Sequence, residues 1–282
     1  MTVLFDGVAF GMLLFLISVG LSVTLGLMNF INLAHGVFAM IGGYVCVTLM
    51  NRLGIPFLAT LPLAALASAA VGVVLERTLY RRLYKASHLD QVLFSIALVF
   101  IAIAGAQYFF GAGQQPIQLP PMLSGQITFG GIDLGVYRLF LIVIGLFLAA
   151  ALQWMVGGTR FGAQLRAAVD NPRVAGAMGI HVERIFVLTF ALGSGLAGLG
   201  GALGIDTLGL DPGFAIKYLV YFLIVIAVGG SGSIIGTLLA SIVIGVVDVA
   251  GKYFLPQFGA FLIYTVMVAT LIIRPQGFFG HK

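Results

Sequence analysis

Charge is what this chain has least of. Only 8% of its 282 residues are Asp, Glu, Lys or Arg, against roughly 25% in a soluble domain. With 61% hydrophobic residues, a water-soluble fold of this size could not hide its apolar surface, so lipid must be the solvent for much of it. Cysteine is almost missing as well: Cys46 stands alone inside an apolar run. That excludes an intramolecular disulfide and suggests no metal cluster. A secretory leader would begin with positive charge, and the only early charge is Asp6, so the first apolar run reads as a retained helix. A Walker A phosphate loop, G-x-x-x-x-G-K-[ST], occurs nowhere, so the chain has no nucleotide site of that kind.

Long apolar runs are what remains. Stretches of about 17–25 apolar residues cross a bilayer as helices. Candidates fall at roughly 7–28, 34–50, 57–75, 91–112, 138–157, 185–204, 218–230, 234–254 and 260–273. The seventh and ninth are short, which leaves eight or nine crossings open. The expected fold is all-α, a polytopic transmembrane helical bundle with some spans broken or short, forming one membrane domain over residues 1–282. The 39 glycines fit, because small residues let transmembrane helices approach closely.

A formal net charge of +5 would raise nucleic acid as a partner in a soluble protein. Here the basic residues punctuate apolar runs and read as topology signals, so no nucleic-acid partner is expected. With nine crossings, Arg77, Arg81, Arg82, Lys85, Arg160, Arg166, Arg173, Arg184, Arg274 and Lys282 fall on one side. Arg52, Arg138, Lys217 and Lys252 fall on the other. The positive-inside rule then puts the N-terminus outside and the C-terminus in the cytoplasm. The loop at 113–137 is outside on this scheme, and two β-prone runs around Gly130-Gly131 read as a small hairpin. Trp154 sits near a helix end, where an indole anchors at the interface.

Polar breaks are the candidate functional features. Asn29, Asn32 and His35 interrupt two apolar runs and are costly in hydrocarbon unless they face protein or water. Either a broken helix lines the substrate path there, or the segment is a short cytoplasmic turn with polar caps. A lone His is weak evidence for a metal, and none is assigned. The second break is Gly229-Gly230-Ser231-Gly232-Ser233. A G-x-G-x-x-G phosphate loop would need glycine where Ile235 stands. A tight re-entry between two helices fits better, with Gly236, Ala240 and Ser241 as small packing surfaces. Small residues recur every four positions at Gly193, Ala197 and Gly201, and at Ser194, Gly198 and Ala202. They predict close helix packing, against a partner in this chain or another. Asp248 and Lys252 are spaced to pair on a helix, and a neutralised structural pair is favoured over a functional carboxylate.

The most informative hydrophilic stretch runs from Thr159 to Arg184. Asn171 before Pro172 reads as an N-cap with proline at the first helical position, and Gly179 suits the stop. A helix of about seven residues, roughly 10 Å long, follows. It either lies along the membrane surface or docks a cytoplasmic partner.

These residues resemble a known family. Gly26 to Tyr44, with Asn32-Leu33-Ala34-His35-Gly36 and Gly42-Gly43-Tyr44, is similar to the early signature of permeases for branched-chain amino acids. Thr159, Gly162, Arg166-Ala167 and Gly179-Ile180 resemble that family's coupling loop. Ala197-Gly198 with Gly201, then Gly229 to Ser233 with Gly236, and Arg274-Pro275-Gln276-Gly277-Phe278-Phe279-Gly280 also match, in order. The general Glu-Ala-Ala loop of importers stands here as Arg166-Ala167-Ala168. The length resembles the shorter, H-type subunit.

The resemblance implies an inner-membrane permease subunit of an ATP-driven importer of branched-chain or related amino acids. Relatives that carry urea, amides or aromatic acids leave the substrate open. A stand-alone secondary transporter is the alternative from another class, disfavoured because only His35 and Asp248 qualify as intramembrane ionisable groups. A non-transporting scaffold is argued against by the polar breaks. The chain itself is non-catalytic and holds no cofactor; ATP and Mg would be bound by partner ATPases. Expected partners are a second, M-type permease, two cytoplasmic ATPase subunits, a periplasmic solute-binding protein and the lipid bilayer. Expected pathway residues are Asn29, Asn32, His35, Gly230, Ser231 and Ser233. Expected ATPase-coupling residues, in the loop at 158–184, are Arg160, Gly162, Arg166, Ala167, Asn171 and Gly179.

Overall fold

The computed structural model describes residues 1–28, 30, 32–84, 86–129 and 132–280. The expected pathway residue Asn29, the topology residues Lys85 and Lys282, and the Gly130-Gly131 turn lie outside the described residues.

Among the described residues the regular structure is all helical apart from one hairpin. Helix α1 (Thr2–Met28) is followed by α2 (His35–Leu53) and α3 (Phe57–Leu75). The third helix does not stop where the apolar run ends. It continues through a π turn, Glu76–Tyr80, into the single turn α4 (Arg81–Leu83). Helix α5 (His88–Phe110) starts at a capping box, in which Ser87 and Asp90 exchange side-chain and backbone hydrogen bonds. The loop after it carries strands β1 (Gln126–Phe129) and β2 (Ile132–Gly135), antiparallel with Gln126 opposite Gly135, as the sequence predicts. Then come α6 (Val136–Gly158), two short helices α7 (Arg160–Asp170) and α8 (Pro172–Ala177), and α9 (Val182–Leu208). The chain ends with α10 (Phe214–Gly229), α11 (Ile234–Phe254) and α12 (Gly259–Ile273).

Among the described residues, seven helical segments are long and apolar enough to cross a membrane: Thr2–Gly26, His35–Leu53, Phe57–Leu83, His88–Phe110, Val136–Gly158, Val182–Leu208 and Ile234–Phe254. The expected seventh and ninth spans are α10 and α12, and they are short, with 16 and 15 residues. The chain runs in alternating directions through these helices. One end of the bundle gathers the arginine-rich loops, where Arg81 pairs with Glu183. At the other end Asp6 pairs with Arg138 at 2.5 Å, and Gln115 N donates to Leu210 O at 2.8 Å.

Helix α1 is the axis of the bundle, packed by α11, α9, α6 and α10. The small-residue stripe of α9 finds its partners within this chain. A Cβ on Gly201 would land on the Ala39 carbonyl of α2, and one on Gly20 would land on the Gly193 backbone. With no hydrophobic force between helices in lipid, such close approach gives van der Waals contact its strength. Near the opposite end, Asp248 is 1% exposed and pairs with Lys252 at 2.6 Å. It also accepts from the Tyr221 hydroxyl at 3.0 Å, so the expected structural pair is observed with a third member.

Candidate functional site

The second polar break packs on the end of α1 that leads into the first. The amide of Gly232 donates to Ser22 O at 3.0 Å and to its Oγ at 3.2 Å, which sets the second break against the last turns of α1. Left-handed glycines make the turn possible: Gly230 has φ 89° and Gly232 has φ 83°. A Cβ on Gly26 would occupy the position of the Gly232 backbone. Ser233 caps α11, its Oγ accepting from Gly236 N at 3.0 Å. Gly230 is buried, whereas Ser231 is exposed and Ser233 partly so. The Arg274–Gly280 tail folds back over the same place. Phe278 N and Phe279 N donate to the carbonyls of Val228 and Gly229 at 2.9 and 3.2 Å, satisfying groups that the end of α10 leaves open.

At the first break Asn32 is fully buried. Its Oδ1 accepts from Ala34 N at 3.1 Å and from the Tyr80 hydroxyl at 3.0 Å, while its Nδ2 has no partner among the described residues. Phe30 lies beside it with its ring against Tyr80 and Tyr84 at 5.2 and 5.7 Å. His35 is equally enclosed. Its Nε2 pairs with Ile17 O at 3.0 Å, which ties the start of α2 to the middle of α1. The break is therefore wrapped in protein at the arginine-rich end.

The polar groups around it were not among the expected site residues. Glu76 is 1% exposed; its Oε1 accepts from the Tyr84 hydroxyl at 2.8 Å and its Oε2 has no partner among the described residues. Burial, followed by the Glu76 charge, holds the Tyr84 hydroxyl well above the usual tyrosine range, so it stays a donor. In the sequence Glu76 reads as an end-charge after an apolar run. The π turn that folds it inward leaves no periodic signature, although such turns recur at functional sites.

The loop between α6 and α9 is better structured than expected. Thr159 caps α7, a helix that the sequence reading did not assign. Its Oγ1 accepts from Gly162 N at 3.3 Å and donates to Met155 O at 2.5 Å. Gly162 is required here, since a Cβ would overlap the Val156 carbonyl. Arg166 donates to that same carbonyl. Leu165 and Ala168 pack on Ile185 of α9 as a small separate core. The spacing of Phe161, Leu165 and Ala168 was the available signal for this helix.

The predicted cap of α8 is present, with Asn171 Oδ1 accepting from Val174 N at 3.1 Å. The helix has six residues, and Gly179 ends the turn at φ 85°. Arg160 and Arg173 are exposed and Ala167 is half-buried. The loop's largest exposed apolar side chains are Val174 at 53% and Met178 at 78%.

A family model described as "Branched-chain amino acid transport system / permease component" matches residues 3–271. The high-affinity branched-chain amino acid transport system permease protein BraD of Pseudomonas aeruginosa is 26% identical, over 99% of this chain and 95% of that protein. The probable branched-chain amino acid transport permease protein LivH of Methanocaldococcus jannaschii is 29% identical, over 99% and 92%. The high-affinity branched-chain amino acid transport system permease protein LivM of Salmonella typhimurium is 26% identical, over 94% of this chain but 67% of that protein. No solved structure matches.

Proposed function

Because the chain belongs to the family of branched-chain amino acid transport system permeases, in its shorter H-type form, we propose that it supplies half the pathway by which an ATP-driven importer moves branched-chain or related amino acids across the inner membrane. The observation that carries this is the family match from end to end of the helical bundle. The chain is a permease subunit and not the catalytic one. Its pairing partner is an M-type permease, a role supported by the similarity to a LivM protein. Two ATPases that bind ATP and Mg, and a periplasmic solute-binding protein, complete the complex.

The arginine-rich end faces the cytoplasm and the hairpin loop the periplasm, following the distribution of basic residues. The two breaks border the cytoplasmic mouth of the pathway, and Asn29, Asn32, His35, Gly230, Ser231 and Ser233 are its pathway residues. The paired helices α7 and α8 dock an ATPase, with Val174 and Met178 entering its groove and Arg160, Gly162, Arg166, Ala167, Asn171 and Gly179 shaping the element. ATP then acts through different contacts in the inward-open and outward-open states.

Reconstitution in vesicles tests the proposal. Uptake of leucine is expected only with both permeases, both ATPases, ATP on the cytoplasmic side and the binding protein outside. Uptake by this chain alone, driven by an ion gradient, would refute it.

A further inference from the structure

A cavity opens at the arginine-rich end. It lies between the foot of the third span and the first turns of α9, with a volume of about 400 Å³. Its wall carries both signs of charge. Glu76 contributes the buried carboxylate whose Oε2 has no hydrogen-bond partner among the described residues. Arg81 and Arg82 contribute guanidinium groups, and Glu183 holds Arg81 across the mouth. Among the described residues Arg82 makes no hydrogen bond or ion pair. The remaining wall is apolar, from Val182, Phe186 and Val187.

Few ligand classes satisfy all of this. A simple cation would complete Glu76 but face two arginines. A simple anion would suit Arg82 but meet a buried carboxylate. A zwitterion with an apolar side chain matches each part. Its ammonium is drawn to the Glu76 carboxylate in the cavity wall. Its carboxylate takes the free fork of Arg82, the geometry that guanidinium recognises. Its side chain covers Val182, Phe186 and Val187.

We propose that this cavity is a cytosol-facing binding site for a free α-amino acid with an apolar side chain. The cavity joins the π turn of the third span to the start of α9, and α9 directly follows the loop that docks the ATPase. A ligand that bridges the two holds them in one relative position and so opposes the motion that the loop transmits. Cytosolic product would thereby slow its own import. This rests on the proposed sidedness and substrate class of the importer.

The test uses the assembled importer in nanodiscs, without the solute-binding protein, and measures [14C]leucine binding by equilibrium dialysis. Saturable binding is expected. Glu76→Gln keeps an acceptor for Tyr84 and removes the charge; Arg82→Ala removes the free guanidinium; Val187→Trp fills the space. Each should weaken the binding tenfold or more while the complex is recovered in normal yield. The analogues 3-methylbutylamine and 4-methylpentanoate, each lacking one charge, should fail to compete. In vesicles, leucine on the cytoplasmic side should slow uptake by the wild type severalfold and leave Glu76→Gln unaffected. Wild-type affinity in the variants, or competition by either analogue, overturns the site. Binding to the free chain that vanishes in the assembled importer also overturns it, since an ATPase side chain then occupies the cavity. Normal ATP-driven uptake with no such binding removes the site and leaves the importer standing, whereas absence of ATP-driven uptake removes the importer reading itself.

Discussion

Helices α1 and α5 are almost equally apolar, with mean hydropathy 2.3 against 2.2, yet 89% of the α1 window is buried and only 17% of the α5 window. In water such a pair could not exist, because apolar surface would be driven inward from both. In a bilayer, lipid and protein interior are both apolar, so hydropathy does not choose between them. Surface relief does. Along α1, Gly7, Gly11, Gly20 and Gly26 each lie against the backbone of another segment. Along α5, Gly105 has nothing within 4 Å of its missing Cβ. That helix is held by aromatic contacts instead, Phe110 stacked on Tyr44 at 4.3 Å and Phe94 against Tyr80 at 5.3 Å. Close backbone approach makes the core of this protein, and bulky side chains make its lipid face.

The contrast breaks most severely at the glycine contacts. Gly201→Leu puts a side chain where the Ala39 carbonyl stands. It should cost more than about 4 kcal/mol and deplete folded protein, as read by fluorescence-detected size exclusion. A monodisperse peak melting at the wild-type temperature would contradict the seam. Next comes the buried carboxylate of the seam's far end. Asp248→Ala leaves the Tyr221 hydroxyl and Lys252 without their acceptor. Since Lys252 is half exposed and reaches solvent, a cost of about 1–3 kcal/mol is expected rather than the full penalty of a sealed pair. Asp248→Asn should cost less in the same thermal melts; equal losses would mean that the charge decides and not the tyrosine bond.

Exposed apolar side chains beyond the lipid belt form a third category. Met178→Asp should leave insertion and melting unchanged and weaken recovery of the ATPase about tenfold, which corresponds to about 1.4 kcal/mol. Ala167→Glu should act more weakly, because Ala167 is half-buried within the loop. Full ATPase recovery from the Met178 variant would remove α8 from the docking surface. The smallest effect is expected on the lipid face. Phe147 of α6 is 67% exposed, and Phe147→Ala should change stability by no more than about 0.5 kcal/mol. A large loss there would mean that a protein partner and not lipid covers that helix.

Much of the fold was legible because its signals are local. Hydropathy and length marked the spans, including the shortness of α10 and α12. The hairpin around residues 126–135, the Asn171-Pro172 helix start and the Asp248–Lys252 pair followed from residue chemistry within a few positions. The breaks were legible as breaks, but their environment was not. Whether Asn32 lay in a bare turn or inside protein depended on Tyr80, 48 residues away. Glu76 was not singled out by the sequence, and only the π turn, together with Tyr84 and α9, encloses it.

The sequence by itself determined that this chain lives in lipid, where its long apolar helices run and which loops share a side, because charge and apolar length act segment by segment. The tertiary structure alone decided which apolar helix became the axis, how the second break, the end of α1 and the C-terminal tail came together, and that a buried carboxylate lines a cavity with arginines. Those depend on how closely two distant backbones can approach, and in an apolar solvent that is set by the fit of particular pairs of surfaces, which neither surface carries alone.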